Sequence, residues 1–330
     1  QMLQTPKIYG IGNPLIDIVI SVQDDDLTQL GIDKGIMHLV DENRQDEILS
    51  YLKNSKSIYH PGGSAPNTML ACAGLGIPSL IAGKIGQDNF SDIYIKQADE
   101  YGVISGLVRG DGPTGSSIIL VTPDGERTMN THLGMCREYS ATDVDQDLLS
   151  KSKYLYFTGY MWDTDAQKGA VTLAMDIAKE NGITIVFDVA DPFAVDRNKD
   201  EFLAMIGNDV NVVFANQSEC AILFETDDYN ASTNQLLPMI NQAGIKLGKK
   251  GSVVLDRGEK SMIPSSPILA TDSTGAGDMY AAGFLASISN GYPIIKAGEI
   301  AGFLAEEIIQ IPGAQFDVEK IQSFKTKYFS

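Results

Sequence analysis

The chain has 330 residues, 43% of them apolar, and sets 25 basic against 43 acidic side chains, a formal net charge of −18 at pH 7. That is enough apolar material for one large α/β domain or two smaller ones, and the acidic balance disfavours nucleic acid and anionic membrane as partners. No apolar run approaches the roughly 20 residues of a membrane span, and residues 1–7 carry no leader pattern. Three widely spaced cysteines, Cys72, Cys136 and Cys220, fit a reducing cytoplasm better than a disulfide framework or a zinc site.

In chain order, residues 7–12 and 15–22 read as strands. Asp17 lies in an otherwise apolar strand, so it must face solvent, a partner or a ligand; a carboxylate there suits a pair of sugar hydroxyls. Gly10-Ile11-Gly12 hints at a dinucleotide fingerprint but lacks its third glycine. Gly62-Gly63-Ser64-Ala65-Pro66-Asn67 leads into a helix from Pro66 to Leu75. Its glycines permit close approach of a hydroxyl-rich ligand, and Asn67 both donates and accepts; the plainer reading is a turn capped by Ser64. Strand and helix then alternate: strand near 79–84, helix 89–101, helix 142–150, strand 153–158, helix 165–181, strand 183–188, helix 196–206, strand 210–214, helix 217–224. Such alternation predicts a mainly parallel sheet covered by helices on both faces. Residues 104–131 break the rhythm, with Ser117–Val121 and Arg127–Thr131 flanking a turn at Pro123-Asp124-Gly125. Together with 14–40, which lack a long helix, they predict a small separate sheet acting as a lid. The expected division is 14–40 and 106–133 for the lid, with 1–13, 41–105 and 134–330 forming the large domain.

Three stretches, the Gly62-Gly63 loop, the Asn216 region and the 272–278 loop, fall where strands run into helices, the edge at which open α/β sheets bind ligands. Asn216-Gln217-Ser218-Glu219 reads as a capping box and as a holder of hydrated Mg²⁺ and phosphate, and the two readings are not exclusive. Leu247-Gly248-Lys249-Lys250-Gly251 is either a solvated hairpin or a nucleotide contact, and only Gly244–Leu247 remain for a strand between a helix near 234–243 and that loop. Asp272-Ser-Thr-Gly-Ala-Gly-Asp278 opens a long helix carrying Tyr280, Phe284, Leu285 and Ile288 on one face. A helix N-terminus with glycines favours an anion. A carboxylate beside it makes sense if Asp278 takes a proton while Gly275, Ala276 and Gly277 hold charge developing on a transferring phosphoryl group. His38, His60 and His132 share no ligand spacing, and no hydrolase triad is evident.

Taken together, the Gly62-Gly63…Asn67 stretch, Asn216…Glu219 and the 272–278 stretch resemble the PfkB/ribokinase family of carbohydrate and nucleoside kinases, from Gly10 to about Phe316. The resemblance implies a ribokinase-like three-layer α/β/α sandwich with a β-sheet lid. It implies transfer of the γ-phosphoryl group of ATP, with Mg²⁺, to a primary hydroxyl. It makes Asp278 the base and Gly275, Ala276 and Gly277 the anion hole. It places Asn13, Asp17, Gly62, Gly63, Asn67 and Arg127 on the acceptor, and Asn216, Glu219, Gly248, Lys249 and Gly251 on the nucleotide, Glu219 reaching Mg²⁺ through water. A monovalent cation such as K⁺ would sit by Asp272, Thr274 and Gly313. Within the family the texture is similar to that of bacterial adenosine kinases, from Arg127 to Cys136, Gly159 to Asp163 and Phe214 to Glu219, with Tyr160, Trp162 and Phe193 available to stack on a base. Thr274 and Met279-Tyr280 depart from that pattern. Adenosine is the expected acceptor; ribose, fructose or 2-keto-3-deoxygluconate is the alternative, and a non-catalytic binder of such molecules the second. The expected state is a monomer or a homodimer through the lid.

Overall fold

The computed structural model describes residues 4–266 and 275–330. The strands are β1 (Ile8–Ile11), β2 (Leu15–Ser21), β3 (Met37–Leu39), β4 (Ser57–Gly62), β5 (Ser79–Ile85), β6 (Ile104–Arg109), β7 (Ser116–Val121), β8 (Arg127–His132), β9 (Tyr154–Thr158), β10 (Thr184–Asp188), β11 (Val212–Asn216), β12 (Gln242–Lys246), β13 (Ser252–Asp256) and β14 (Glu259–Ile263). The helices are α1 (Asp24–Leu30), α2 (Glu42–Tyr51), α3 (Ser64–Gly74), α4 (Asn89–Glu100), α5 (Gln146–Ser150), α6 (Asp165–Glu180), α7 (Pro192–Asn208), α8 (Gln217–Phe224), α9 (Tyr229–Leu236), α10 (Ala276–Ser289), α11 (Ile294–Ile308) and α12 (Val318–Tyr328).

Among the described residues, nine strands form one sheet in the order β14-β13-β12-β11-β10-β9-β1-β5-β6. It is parallel from β12 to β6 and ends in an antiparallel pair of strands, β13 and β14. Its central strands are apolar along their length because both faces are covered. One face packs Phe157, Phe187 and Val213 against α6, α7 and α8. The other packs Tyr156, Phe214 and Val254 against α3, α10 and α11. Gly10 and Gly12 have no nucleotide role in this packing: a Cβ on Gly10 would enter Met69, and one on Gly12 would stand 2.6 Å from Ala65 Cβ, so both glycines let α3 lie close to β1. The ribokinase-like α/β architecture expected from the sequence is the one observed.

The second sheet has the order β3-β8-β7-β2-β4. The antiparallel pair expected at 117–131 is β7 with β8. Two memberships differ from the expected division. Ser57–Gly62 pairs antiparallel with β2 and is a lid strand, and Ile104–Arg109 pairs parallel with β5 at the edge of the large sheet. The reason is burial: β4 carries apolar Tyr59 onto the lid's own core of Ile18, Ile20, Leu27, Ile48, Ile118 and Leu120. Leu107 and Ile104 pack instead on the large sheet. The short helix α1 and helix α2 were not expected; both supply residues to that lid core.

The stretch before Gly248 also differs from expectation. The helix near 234–243 is α9, which stops at Leu236, where Pro238 cannot continue a regular helix. That frees Gln242–Lys246 for a full five-residue strand between β11 and β13. Gly248–Lys250 is then the turn of the β12–β13 hairpin, closed by Leu247 N–H to Gly251 O at 2.8 Å.

Candidate active site

Four neighbouring parallel strands, β9, β10, β11 and β12, end in Thr158, Asp188, Asn216 and Lys246, and all four end residues line one cleft. The cleft encloses about 1780 Å³ between the carboxyl edge of the large sheet and the lid. Opposite the strand ends lie the N-termini of α3 and α10, which bring Gly63, Ser64 and Asn67, and Gly275 to Asp278, to the same space. From the lid come Asp17, Ile36, Met37, Leu39 and Arg127.

Asp278 stands in the first turn of α10. Ser64 Oγ donates to its Oδ1 at 2.7 Å and Asn67 Nδ2 to its Oδ2 at 3.2 Å. Ser64 is therefore not the cap of α3: Gly63, at φ +100°, occupies that position, and the hydroxyl turns to the carboxylate instead. Gln315 Nε2 in turn donates to Asn67 Oδ1 and to Pro61 O, fixing which end of the Asn67 amide faces Asp278. Burial raises the Asp278 pKa to about 7; Ser64, Asn67 and Lys246 pull against the rise, and the Asp188 charge adds to it. A carboxyl group poised near neutrality is what a general base requires. The main chain is braced as well, since Thr68 Oγ1 donates to Asp278 O at 3.1 Å.

The first-turn N–H groups of α10 have no partner within the helix. Gly275 has φ +81°, and a Cβ there would stand 2.8 Å from Ala314 Cα. A Cβ on Gly277 would stand 3.2 Å from Lys246 Nζ, so Gly277 keeps open the space between helix end and ammonium. Asp272 and Thr274 lie outside the described residues; Gly313, at φ +96°, is the described member of that expected group.

Asp17, on β2, has its carboxylate under Gly62, where a Cβ would come within 2.6 Å of Oδ2. Burial raises its pKa to about 7 against the lowering field of Arg127. Asn13 is buried, its Oδ1 accepting from Gln167 Nε2 at 2.7 Å. Asn216 and Glu219 form the reciprocal capping box: Glu219 N–H to Asn216 Oδ1 at 2.8 Å and Asn216 N–H to Glu219 Oε1 at 2.9 Å. Glu219 is buried, which raises its pKa to about 7; Lys246 lowers it and Asp188 raises it. Two desolvated carboxylates sharing a field in this way suit a hydrated divalent cation. Among the described residues, no three acidic, histidine or cysteine side chains gather to bind an ion directly. Of the hairpin, Gly248 lines the cleft; Lys249 and Gly251 do not. Tyr160, Trp162 and Phe193 all line it, Phe193 being 73% exposed.

Three site residues escaped the sequence reading. Asp188 accepts from Ala190 N–H at 3.0 Å and from Tyr156 Oη at 3.3 Å. Burial raises its pKa, Lys246 opposing. The signal was available, for Asp188 closes an apolar strand as Asn216 does. Lys246 was hidden because the strand was read as 244–247, which put Leu247 and not Lys246 at its end. Ser64 was considered only as a helix cap, which accepts from a main-chain N–H, whereas its hydroxyl donates to Asp278.

The family model for pfkB family carbohydrate kinases matches residues 39–321. The chain belongs to this family. Among solved structures, adenosine kinase from Sinorhizobium meliloti is 33% identical, with a TM-score of 0.87 over 98% of this chain and 99% of that one. A probable sugar kinase from Rhizobium etli CFN 42 is 31% identical, with a TM-score of 0.87 over 98% of each chain. The adenosine kinase of Dictyostelium discoideum is 28% identical over 93% of this chain and 96% of its own length. As a pfkB-family kinase the chain is an ATP-dependent phosphotransferase with a hydroxyl group as acceptor, acting on a nucleoside or a sugar. No described helix is long and apolar enough to cross a membrane.

Proposed function

We propose that the protein transfers the γ-phosphoryl group of ATP to the primary hydroxyl of adenosine, with Asp278 as the base. The observation that carries this reading is the Asp278 carboxyl, desolvated to a pKa of about 7 at the mouth of α10 and held at both oxygens. The acceptor hydroxyl displaces Ser64 or Asn67 from one oxygen and passes its proton to that oxygen. Its own oxygen bonds to the γ-phosphorus as the bond from phosphorus to the β–γ bridging oxygen breaks, and ADP leaves. Phosphoryl transfer asks chiefly for positioning and charge stabilisation, which the free N–H groups of Gly275, Ala276 and Gly277 supply. Asp17, Asn67 and the Gly62-Gly63 turn hold the sugar hydroxyls, and Arg127 closes over them from the lid. Asn216, Glu219 and Gly248 flank the nucleotide, and Glu219 and Asp188 are the residues that would hold Mg²⁺, which would neutralise phosphate charge.

A base, rather than a bare sugar, is supported by the apolar end of the cleft. Ile36, Met37 and Leu39 on the lid are 51%, 49% and 65% exposed and face the same cleft as Trp162 and Phe193. Exposed apolar walls of this kind suit a flat aromatic ligand, whereas ribose or fructose would leave them wet. The likeness to a probable sugar kinase supports the second reading, a sugar kinase with the same chemistry.

ADP release and product mass, measured with adenosine, other nucleosides, ribose, fructose and 2-keto-3-deoxygluconate, decide between them. The expected result is AMP, with adenosine ahead of any free sugar by more than about tenfold in kcat/KM, a margin that apolar base contacts supply readily. A preferred free sugar would overturn the acceptor. Tight binding with no phosphorylation of any candidate would leave a binding protein.

A further inference from the structure

Lys246 closes β12 beside Asn216 on the neighbouring strand and faces the cleft. Its ammonium lies within reach of the N-terminus of α10, close enough that a Cβ on Gly277 would stand 3.2 Å from Nζ. Among the described residues the ammonium makes no ion pair and no hydrogen bond; the Tyr280 ring centroid lies 5.8 Å from Nζ. Yet it is felt by three acids on three different elements: in Asp188 at the end of β10, Glu219 in α8 and Asp278 in α10, burial raises the pKa and the Lys246 charge opposes that rise.

This arrangement is uncomfortable without a ligand. An ammonium and the positive end of a helix repel each other, and both point into one small space that Gly277 keeps empty. An anion entering that space relieves the repulsion from both sides. The three carboxylates keep the lysine extended toward the spot but none lies close enough to capture it, so its donors remain available. A lysine presents a compact charge with rotatable donors, suited to a phosphate oxygen that shifts during transfer.

We propose that Lys246 is a catalytic residue that binds the transferring γ-phosphoryl group, opposite the N–H groups of Gly275 to Gly277, and follows its oxygens as the phosphorus moves from ADP to the acceptor. The proposal rests on the kinase reading of the cleft. It separates Lys246 from Lys249 and Lys250, which lie in the exposed hairpin turn. It also gives Gly277 a purpose apart from helix geometry.

The test is Lys246→Met, with Lys246→Gln as a second neutral replacement and Lys246→Arg as the charged control. Calorimetric titration uses ADP and a non-hydrolysable ATP analogue with an imido β–γ bridge, alongside turnover of ATP with the best acceptor. The neutral variants are expected to lose about 10²–10³-fold in kcat, as when one donor is taken from a developing anion. They should bind the triphosphate analogue about tenfold more weakly and ADP within about twofold of the unmodified protein, with Lys246→Arg recovering most of the triphosphate preference. Equal losses for ADP and the analogue, or a kcat within about threefold of normal, would reduce Lys246 to a partner of the carboxylates and overturn the proposal. An unmodified protein that releases no ADP with any acceptor would take the kinase reading down with it; an active protein indifferent to Lys246→Met would remove this proposal alone.

Discussion

Replacing Ser64 by alanine removes the shorter of the two hydrogen bonds to the Asp278 carboxylate and leaves Asn67, the Thr68 bond to the main chain and the helix end in place. The bond stabilises the ionised carboxylate, so its loss raises the pKa. A hydrogen bond to a charged group contributes about 1.5–3 kcal/mol, and one pKa unit corresponds to about 1.36 kcal/mol, which bounds the rise at about 1–2 units. Ser64 lines the open cleft, where water can take up part of the lost role, so about one unit is expected, from about 7 toward about 8. A base works ionised, and the loss therefore falls at low pH. At about pH 6 the ionised fraction, and with it kcat/KM, should drop about ninefold; at about pH 9 the two proteins should agree within about 10%. The assay is ADP release across pH 5.5–9 with the preferred acceptor. An acidic limb that stays where it was, or a loss equal at every pH, would show that Ser64 does not tune the base.

The two glycines of the anion hole should behave differently. Gly275→Ala places a Cβ against the Ala314 main chain at positive φ and should destabilise by about 1–3 kcal/mol, seen as a lower denaturant midpoint; Gly277→Ala meets only the flexible tip of Lys246 and should fold normally while turning over more slowly. Asp17→Asn tests the desolvated acceptor acid. Its carboxyl pKa is about 7 when folded against about 3.9 unfolded, so its contribution to stability falls as pH rises between those values. The variant should raise the ligand-free Tm at pH 8 by about 1–3 °C, leave it unchanged near pH 4, and weaken acceptor binding; a lower Tm at pH 8 would contradict this. Phe193→Ala removes a side chain that is mostly exposed without ligand, so Tm should hold while KM rises for a nucleoside and not for ATP; an unchanged nucleoside KM would take Phe193 off the base.

The parallel sheet, the helix after Gly277 and the β7–β8 pair were legible because each rests on local periodicity and turn chemistry. The lid's membership was not. Whether Ser57–Gly62 and Ile104–Arg109 join one sheet or the other depends on which core accepts Tyr59 and Leu107, a long-range question with no local signature. That β9 to β12 stand side by side and bring Asp188 and Lys246 to one cleft is likewise long-range, although the place of Asp188 at the end of an apolar strand was a local sign of it. Asn216 and Glu219 show the converse. The sequence allowed capping and ligand binding together; the capping box forms, and it presents a desolvated Glu219 to the cleft as it does so.

The central claim is that Asp278 accepts the proton of the hydroxyl that is phosphorylated. Asp278→Asn keeps the side chain's shape and cannot take that proton. Turnover and ATP-analogue binding measured on this one variant decide the matter. A fall in kcat of about 10²–10⁴-fold with nucleotide affinity nearly unchanged is expected if Asp278 is the base; a loss of less than about tenfold would show that it is not.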